Sequence, residues 1–223
     1  MTDFPFRVVG FDLDGTLLDT SGDLAAAVND ALASAGRPTL SVETIRPMIG
    51  GGSRHMLAQG MQATGGCTDA ELDRLTAHLL AHYEANIAVH TRPFPGVLDA
   101  LEALAARGVT IGIMTNKIER LAVKVLDALG LSERFEAVVG GDTMGRGKPA
   151  PEPILEMVRR CGGGRAAFVG DSIYDVEGAH NAGLPAVAVS FGFLQQPVAT
   201  LGADAVIDHY DALLPALERL GAR

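Results

Sequence analysis

Short apolar runs recur along this chain, at residues 7–11, 109–114, 166–169, 186–189 and, more weakly, 205–207. Runs of this length, largely apolar and partly β-branched, fit the pattern of buried parallel strands. Helical patterns lie between most of them. Val97, Leu101, Leu104 and Ala105 recur at helical spacing and stop before Gly108, and Leu121, Val125, Leu126 and Leu129 repeat the design before Gly130. Alternation of strand and helix predicts an α/β chain whose core is a Rossmann-like parallel sheet with helices on both faces.

Residues 20–92 interrupt that rhythm with helices and no convincing strand. Leu24, Val28, Ala31, Leu32 and Ala35 form one stripe, closed by Gly36-Arg37-Pro38, and Leu72, Leu75, Leu79 and Tyr83 form another. The expectation is a sheet core built from 1–19 and 93–223, with an inserted helical cap domain at 20–92. A chain of 223 residues, 48% hydrophobic, is long enough for one such core and its insertion. The formal charge of -9 argues against general nucleic-acid binding, and any phosphorylated ligand needs a site where the field is locally inverted. No secretory signal or long apolar span is evident, so a cytoplasmic protein without membrane contact is expected, as monomer or homodimer. Cys67 and Cys161 form no C-x-x-C pattern and read as two free thiols.

In an open parallel sheet, ligands bind beyond the carboxyl ends of the strands. Here the first run leads into Asp12-Leu13-Asp14-Gly15-Thr16, and the second into Thr115-Asn116-Lys117. The run at 166–169 leads into Gly170-Asp171-Ser172 with Asp175 beyond, and Lys148 stands in a turn after Val138-Val139. One such Asp is ordinarily a helix cap. Four phosphate- or metal-competent groups at successive strand ends are not explained that way. Asp12, Asp14, Asp171 and Asp175 in one crevice would repel one another, and a divalent cation relieves this. Oxygen donors without His or Cys favour Mg²⁺. Lys148 and Thr115 then complete a place for a phosphate dianion. Asp12 and Asp14 lie on the same side of extended chain, so one can attack phosphorus while the other handles a proton. Enzymes accelerate phosphate-monoester hydrolysis by up to ~10²¹, whereas one acid–base pair supplies about 10²–10⁴. Nucleophile, metal, lysine and proton donor must therefore act together.

With those motifs in this order, the chain resembles the haloacid dehalogenase superfamily, and within it the phosphoglycolate phosphatase group. The resemblance is carried by Phe11-Asp12-Leu13-Asp14-Gly15-Thr16-Leu17-Leu18-Asp19-Thr20, Thr115-Asn116-Lys117, Gly147-Lys148-Pro149-Ala150-Pro151 and Gly170-Asp171-Ser172-Ile173-Tyr174-Asp175, with a helical cap after the first. It implies that Asp12 is nucleophile and magnesium ligand. Asp14 would be the acid and base, its carbonyl meeting the metal, with Asp171 a further ligand and Asp175 supporting it. Thr115, the Asn116 backbone and Lys148 would hold the phosphoryl oxygens. The implied activity is hydrolysis of a small phosphate monoester, 2-phosphoglycolate first, with a sugar-phosphate phosphatase or phosphomutase as alternative and a non-enzymatic phospho-Asp signalling module more remote.

Departures narrow this further. Dehalogenases lack the second acid, which is present as Asp14. Mutase-like members usually lack the Thr16 type and carry an early His, yet no His precedes His55, and the cap holds no Schiff-base Lys because none precedes Lys117. The cap stretch Ile49-Gly50-Gly51-Gly52-Ser53-Arg54 resembles the group's substrate loop. A Gly-rich turn entering a helix suits a carboxylate, with Arg54 as a bidentate partner; its plainer reading is a helix start with a solvated Arg. His78 and His82 have metal-pair spacing but lack the adjacent acid of H-E-x-x-H, and read as a solvated face.

Overall fold

The computed structural model describes residues 4–222. Six strands form one parallel sheet: β1 (Val8–Phe11), β4 (Thr110–Met114), β5 (Ala137–Val139), β6 (Ala166–Gly170), β7 (Ala186–Val189) and β8 (Ala205–Ile207), in the order β5-β4-β1-β6-β7-β8. The chain winds outward from β1 through β4 to β5, then returns to place β6 on the other side of β1. β1 is therefore the topological switch point, where a crevice opens beyond the carboxyl ends of the strands. Pairing of β1 with both β4 and β6 brings the residues after these three strands side by side.

Helices α5 (Val97–Ala105), α6 (Glu119–Ala128), α7 (Pro151–Arg160), α8 (Ile173–Asn181) and α9 (Leu213–Gly221) cover the sheet. Gly108 and Gly130 follow α5 and α6 with positive φ, as the sequence suggests. Under α7 two glycines stand in register, Gly10 opposite Gly112. A Cβ on Gly10 would lie 2.2 Å from Met157 Cε, and one on Gly112 2.5 Å from Met157 Sδ. The missing side chains let α7 settle directly onto the strands that carry the crevice.

Between β1 and β4 the chain forms α1 (Ser21–Ser34), a short α2 (Val42–Ile45), α3 (Ser53–Ala63) and α4 (Asp69–Ala85). α1 and α3 both pack on α4, burying Leu24, Val28, Ala31 and Leu32 with Leu72, Leu75, Leu79 and Tyr83, the two stripes visible in the sequence. The stretch also contains pairing that periodicity does not reveal. β2 (Leu18–Asp19) and β3 (Arg92–Pro93) form an antiparallel ribbon, Leu18 opposite Pro93 and Asp19 opposite Arg92, where the helical block departs and returns. Asp23, 3% exposed, fastens the same junction: its carboxylate accepts from His90 N (2.9 and 3.1 Å), Thr91 N (2.9 Å) and Thr91 Oγ1 (2.7 Å). Among the described residues no helix is long and apolar enough to cross a membrane. Cys67 and Cys161 are both free, the first exposed and the second buried.

Candidate active site

Asp12 follows β1 directly, and its N–H still donates to Val169 O on β6, which anchors the first acid to the sheet. Lys148 lies against it. The ammonium, on a side chain 1% exposed, stands 2.8 Å from Asp12 Oδ1 and donates to Asp175 Oδ1 (2.6 Å) and Met114 O (2.9 Å). Asp171, after β6, accepts from Phe193 N through Oδ2 (2.6 Å) and from Thr16 Oγ1 through Oδ1 (3.3 Å). Asp175 closes a capping box at the start of α8: Oδ2 accepts from Asp171 N (3.1 Å), Ser172 N (2.9 Å) and Ser172 Oγ (2.6 Å). Both its oxygens are thus engaged, one on the lysine and one on the loop that presents Asp171. Gly15, at φ +85°, turns the chain sharply after the first motif, and a Cβ there would lie 2.3 Å from Asp171 Oδ2.

Carboxylate oxygens of Asp12, Asp171 and Asp175 lie within 4.8 Å of one another, all buried. Burial pushes the Asp12 carboxyl up to about 6; Lys148 opposes the rise, while Asp175 and Asp14 add to it. Burial lifts the Asp171 carboxyl well above its ordinary value, with the charges of Asp175 and Asp12 acting in the same direction. Although burial alone would lower the Lys148 ammonium, Asp12 and Asp175 raise it above its ordinary value, so it stays charged. Asp12 Oδ1 is buried and, despite the nearby ammonium, completes no hydrogen bond. Oxygen-only donors and crowded, buried negative charge fit a hard divalent cation, with Asp12 and Asp171 as the side chains to hold it.

Asp14 faces a different partner. Lys117 Nζ donates to Asp14 Oδ1 (2.9 Å) and Oδ2 (2.8 Å), and Thr20 Oγ1 donates to Oδ1 (2.8 Å). The Lys117 side chain is 6% exposed, and its ammonium stands 4.5 Å from the centre of the Tyr83 ring on α4. In the sequence Lys117 stands inside its motif without a role of its own. Its position one step past Thr115 and Asn116 at a strand end is the signal that points to it. Thr115 is buried beside the crevice. The Asn116 amide ties three segments together, accepting from Lys148 N (2.7 Å) and donating to Lys148 O (3.2 Å) and Gly50 O (3.0 Å).

Gly50 belongs to the glycine-containing loop before α3, whose Ile49 carbonyl also accepts from Gln195 Nε2 (3.0 Å). The loop therefore sits over the crevice, and Gly50, Gly52 and Ser53 line the cavity there with Asp12 and Asp14. Arg54 does not join them. Its guanidinium donates to Asp73 Oδ1 (2.8 Å) and Asp69 Oδ1 (3.1 Å) on the exposed side of α4. His78 and His82 both face Asp30 on α1, at 2.6 and 3.1 Å. The structure thus brings together Asp12, Asp14, Thr115, Asn116, Lys148, Asp171 and Asp175, and turns Arg54 away.

Comparison with known proteins gives the family. A phosphoglycolate phosphatase of Caulobacter vibrioides is 43% identical over 205 residues, covering 91% of this chain and 86% of that one. An N-acetylmuramic acid 6-phosphate phosphatase of Pseudomonas aeruginosa is 35% identical, covering 96% of this chain and 95% of that one. The crystal structure of a predicted phosphoglycolate phosphatase from Haemophilus somnus superimposes with a TM-score of 0.86 at 30% identity, covering 95% of this chain and 97% of that one. Residues 9–189 match the family described as haloacid dehalogenase-like hydrolase. From the first aspartate motif to the strand beyond the last, this chain belongs to the haloacid dehalogenase-like hydrolases.

Proposed function

We propose that the protein is a magnesium-dependent phosphatase that hydrolyses a small phosphate monoester through a phospho-aspartate on Asp12. The observation that carries the reading is Asp12 itself, buried at the switch point of the sheet with its Oδ1 2.8 Å from the Lys148 ammonium and its carboxylate clustered with Asp171 and Asp175. Asp12 attacks phosphorus, the bond from phosphorus to the alcohol oxygen breaks, and Asp14 gives that oxygen its proton. Asp14 then takes a proton from water, which attacks the phospho-aspartate and releases phosphate and free Asp12. Thr115, the Asn116 backbone and Lys148 hold the phosphoryl oxygens, Lys148 being charged and already in contact with the nucleophile. Asp12, Asp171 and the Asp14 carbonyl would hold the magnesium, with Asp175 fixing the Asp171 loop and Lys148. When bound, the cation neutralises the crevice and polarises the phosphoryl group.

The helical block of residues 20–92 serves in this reading as a cap that closes over the crevice and expels water. At the loop tips it meets the core through Gln195 to Ile49 O, Asn116 to Gly50 O, and Arg46 Nη2 to Phe191 O at 3.3 Å, and along α4 through Glu84 to Arg120 and Lys124. The preferred substrate is 2-phosphoglycolate, supported by the name of the Caulobacter relative. The Pseudomonas relative keeps a sugar phosphate as the second reading. A screen of phosphate release over small phosphate esters, with and without magnesium, tests both. Asp12→Asn is expected to abolish turnover, and undiminished release by that variant ends the assignment.

A further inference from the structure

The cavity wall that faces Asp14 carries two buried groups with capacity to spare. An ammonium has three N–H donors, and Lys117 commits two of them to Asp14. Tyr83, 2% exposed, lines the same cavity against that ammonium, and its O–H proton has no acceptor. A buried hydroxyl without a partner is disfavoured in the free protein and becomes an asset only when a ligand supplies the acceptor.

We propose that Lys117 and Tyr83 form the subsite for the leaving alcohol and select one with a carboxylate on the ester-bearing carbon, a small 2-hydroxy acid. The inference rests on the phosphatase reading above and assigns the residues that read its substrate. Position is the first argument. Lys117 Nζ touches both oxygens of Asp14, the group that must meet the ester oxygen, so a substituent on the adjoining carbon falls within reach of the ammonium. Charge is the second. Lys148, held against Asp12 and Asp175, serves the phosphoryl side, which leaves Lys117, paired with Asp14 and lining the cavity, as the cation on the leaving-group side.

The remaining wall supplies the third argument. Apart from Ser53 and the backbone of Gly50 and Gly52 on the loop, the wall around the pair is Leu24, Met56, Leu79, Leu80 and Leu121, which offer a polyhydroxylated sugar few partners. Asn116, an amide that also lines the cavity, is engaged by Lys148 and Gly50. Tyr83 comes from α4 and Lys117 from the segment after β4, so a carboxylate shared between them also draws the helical block onto the core. Arg54, the cation suggested by the loop sequence, faces Asp69 and Asp73 instead.

The test compares kcat/KM for 2-phosphoglycolate and its neutral amide, 2-phosphoglycolamide, in the wild-type protein and in Tyr83→Phe. The wild type should prefer the acid at least about tenfold, and Tyr83→Phe should shrink that preference by about tenfold, the loss expected for one hydrogen bond to a charged group. A variant that slows both substrates equally overturns the proposal, because a merely structural tyrosine would not alter the ratio. So does a wild type that treats acid and amide alike. Glycolate and glycolamide, compared as competitive inhibitors of p-nitrophenyl phosphate hydrolysis by the wild type, read the same preference without a variant, and equal inhibition again overturns it. Absence of phosphate release from every ester would instead overturn the phosphatase reading, and this inference with it.

Discussion

Lys148 places one ammonium among Asp12, Asp175 and the Met114 carbonyl, with its side chain 1% exposed. A buried pair broken on one side leaves an uncompensated charge, which destabilises by roughly 3–5 kcal/mol. Lys148→Met is therefore expected to lose phosphatase activity and to lower unfolding free energy by about that amount, measured by urea denaturation without metal. A stability unchanged within about 0.5 kcal/mol, the usual range for exposed sites, contradicts the charge assignment. At this scale the sequence was informative about position wherever a residue directly follows a strand, as Asp12, Thr115 and Asp171 do. It was silent where the partner is chosen by tertiary packing. Lys117 meets Asp14 across 103 positions of chain, and no spacing rule links them. Arg54 shows the converse: Asp69 and Asp73 lie one helical turn apart on α4 and together outcompete the crevice for its guanidinium.

The strands were legible because strands buried on both faces must be continuous apolar runs, and β1, β4 and β6 are such runs. The ribbon of β2 and β3 was not. Each strand has two residues, too few to show a period, and Pro93 brings no N–H to a ladder. What holds that junction is a side chain, Asp23, that reads in sequence as an ordinary acid in the first turn of a helix. Asp23→Ala removes the acceptor for two backbone N–H groups and one hydroxyl, at least one of them fully buried. Each unsatisfied buried donor costs about 1–3 kcal/mol, so a loss on the order of 3 kcal/mol is expected in chemical denaturation. Faster amide exchange should appear at His90 and Thr91 before it appears in β1. Uniform exchange along the chain would show that Asp23 does not fasten the block to the core. Gly10→Ala tests the other face, where the new methyl would press on Met157 and the Phe168 ring. Overpacking of this kind destabilises by about 1–3 kcal/mol and should displace α7 from the strands.

At the scale of the whole molecule, three of the chain's 27 acids, Asp12, Asp171 and Asp175, share one buried cluster, where a proton and a cation would compete. The Asp12 carboxyl is raised to about 6 by burial, against roughly 3.9 in an unfolded chain. Folded protein therefore binds this proton more tightly than unfolded protein does. The resulting stability is fully present below the unfolded value and is lost as pH rises through about 6, an amount on the order of 3 kcal/mol in metal-free protein. Asp171, shifted in the same direction, adds to the loss. A divalent cation reverses the balance because it binds the ionised carboxylates that folding otherwise resists. At about 100 times its dissociation constant a ligand adds roughly 2.7 kcal/mol, worth about 5–10 °C in Tm for a chain of this size. Magnesium should thus raise Tm at neutral pH, and the rise should fade as pH falls below about 6, where each further unit weakens binding by roughly tenfold per proton displaced. Calorimetry across that range reads both effects. A magnesium-induced shift of equal size on either side of pH 6 would place the cation away from Asp12 and Asp171, because nothing at such a site would need to lose a proton before the metal could bind.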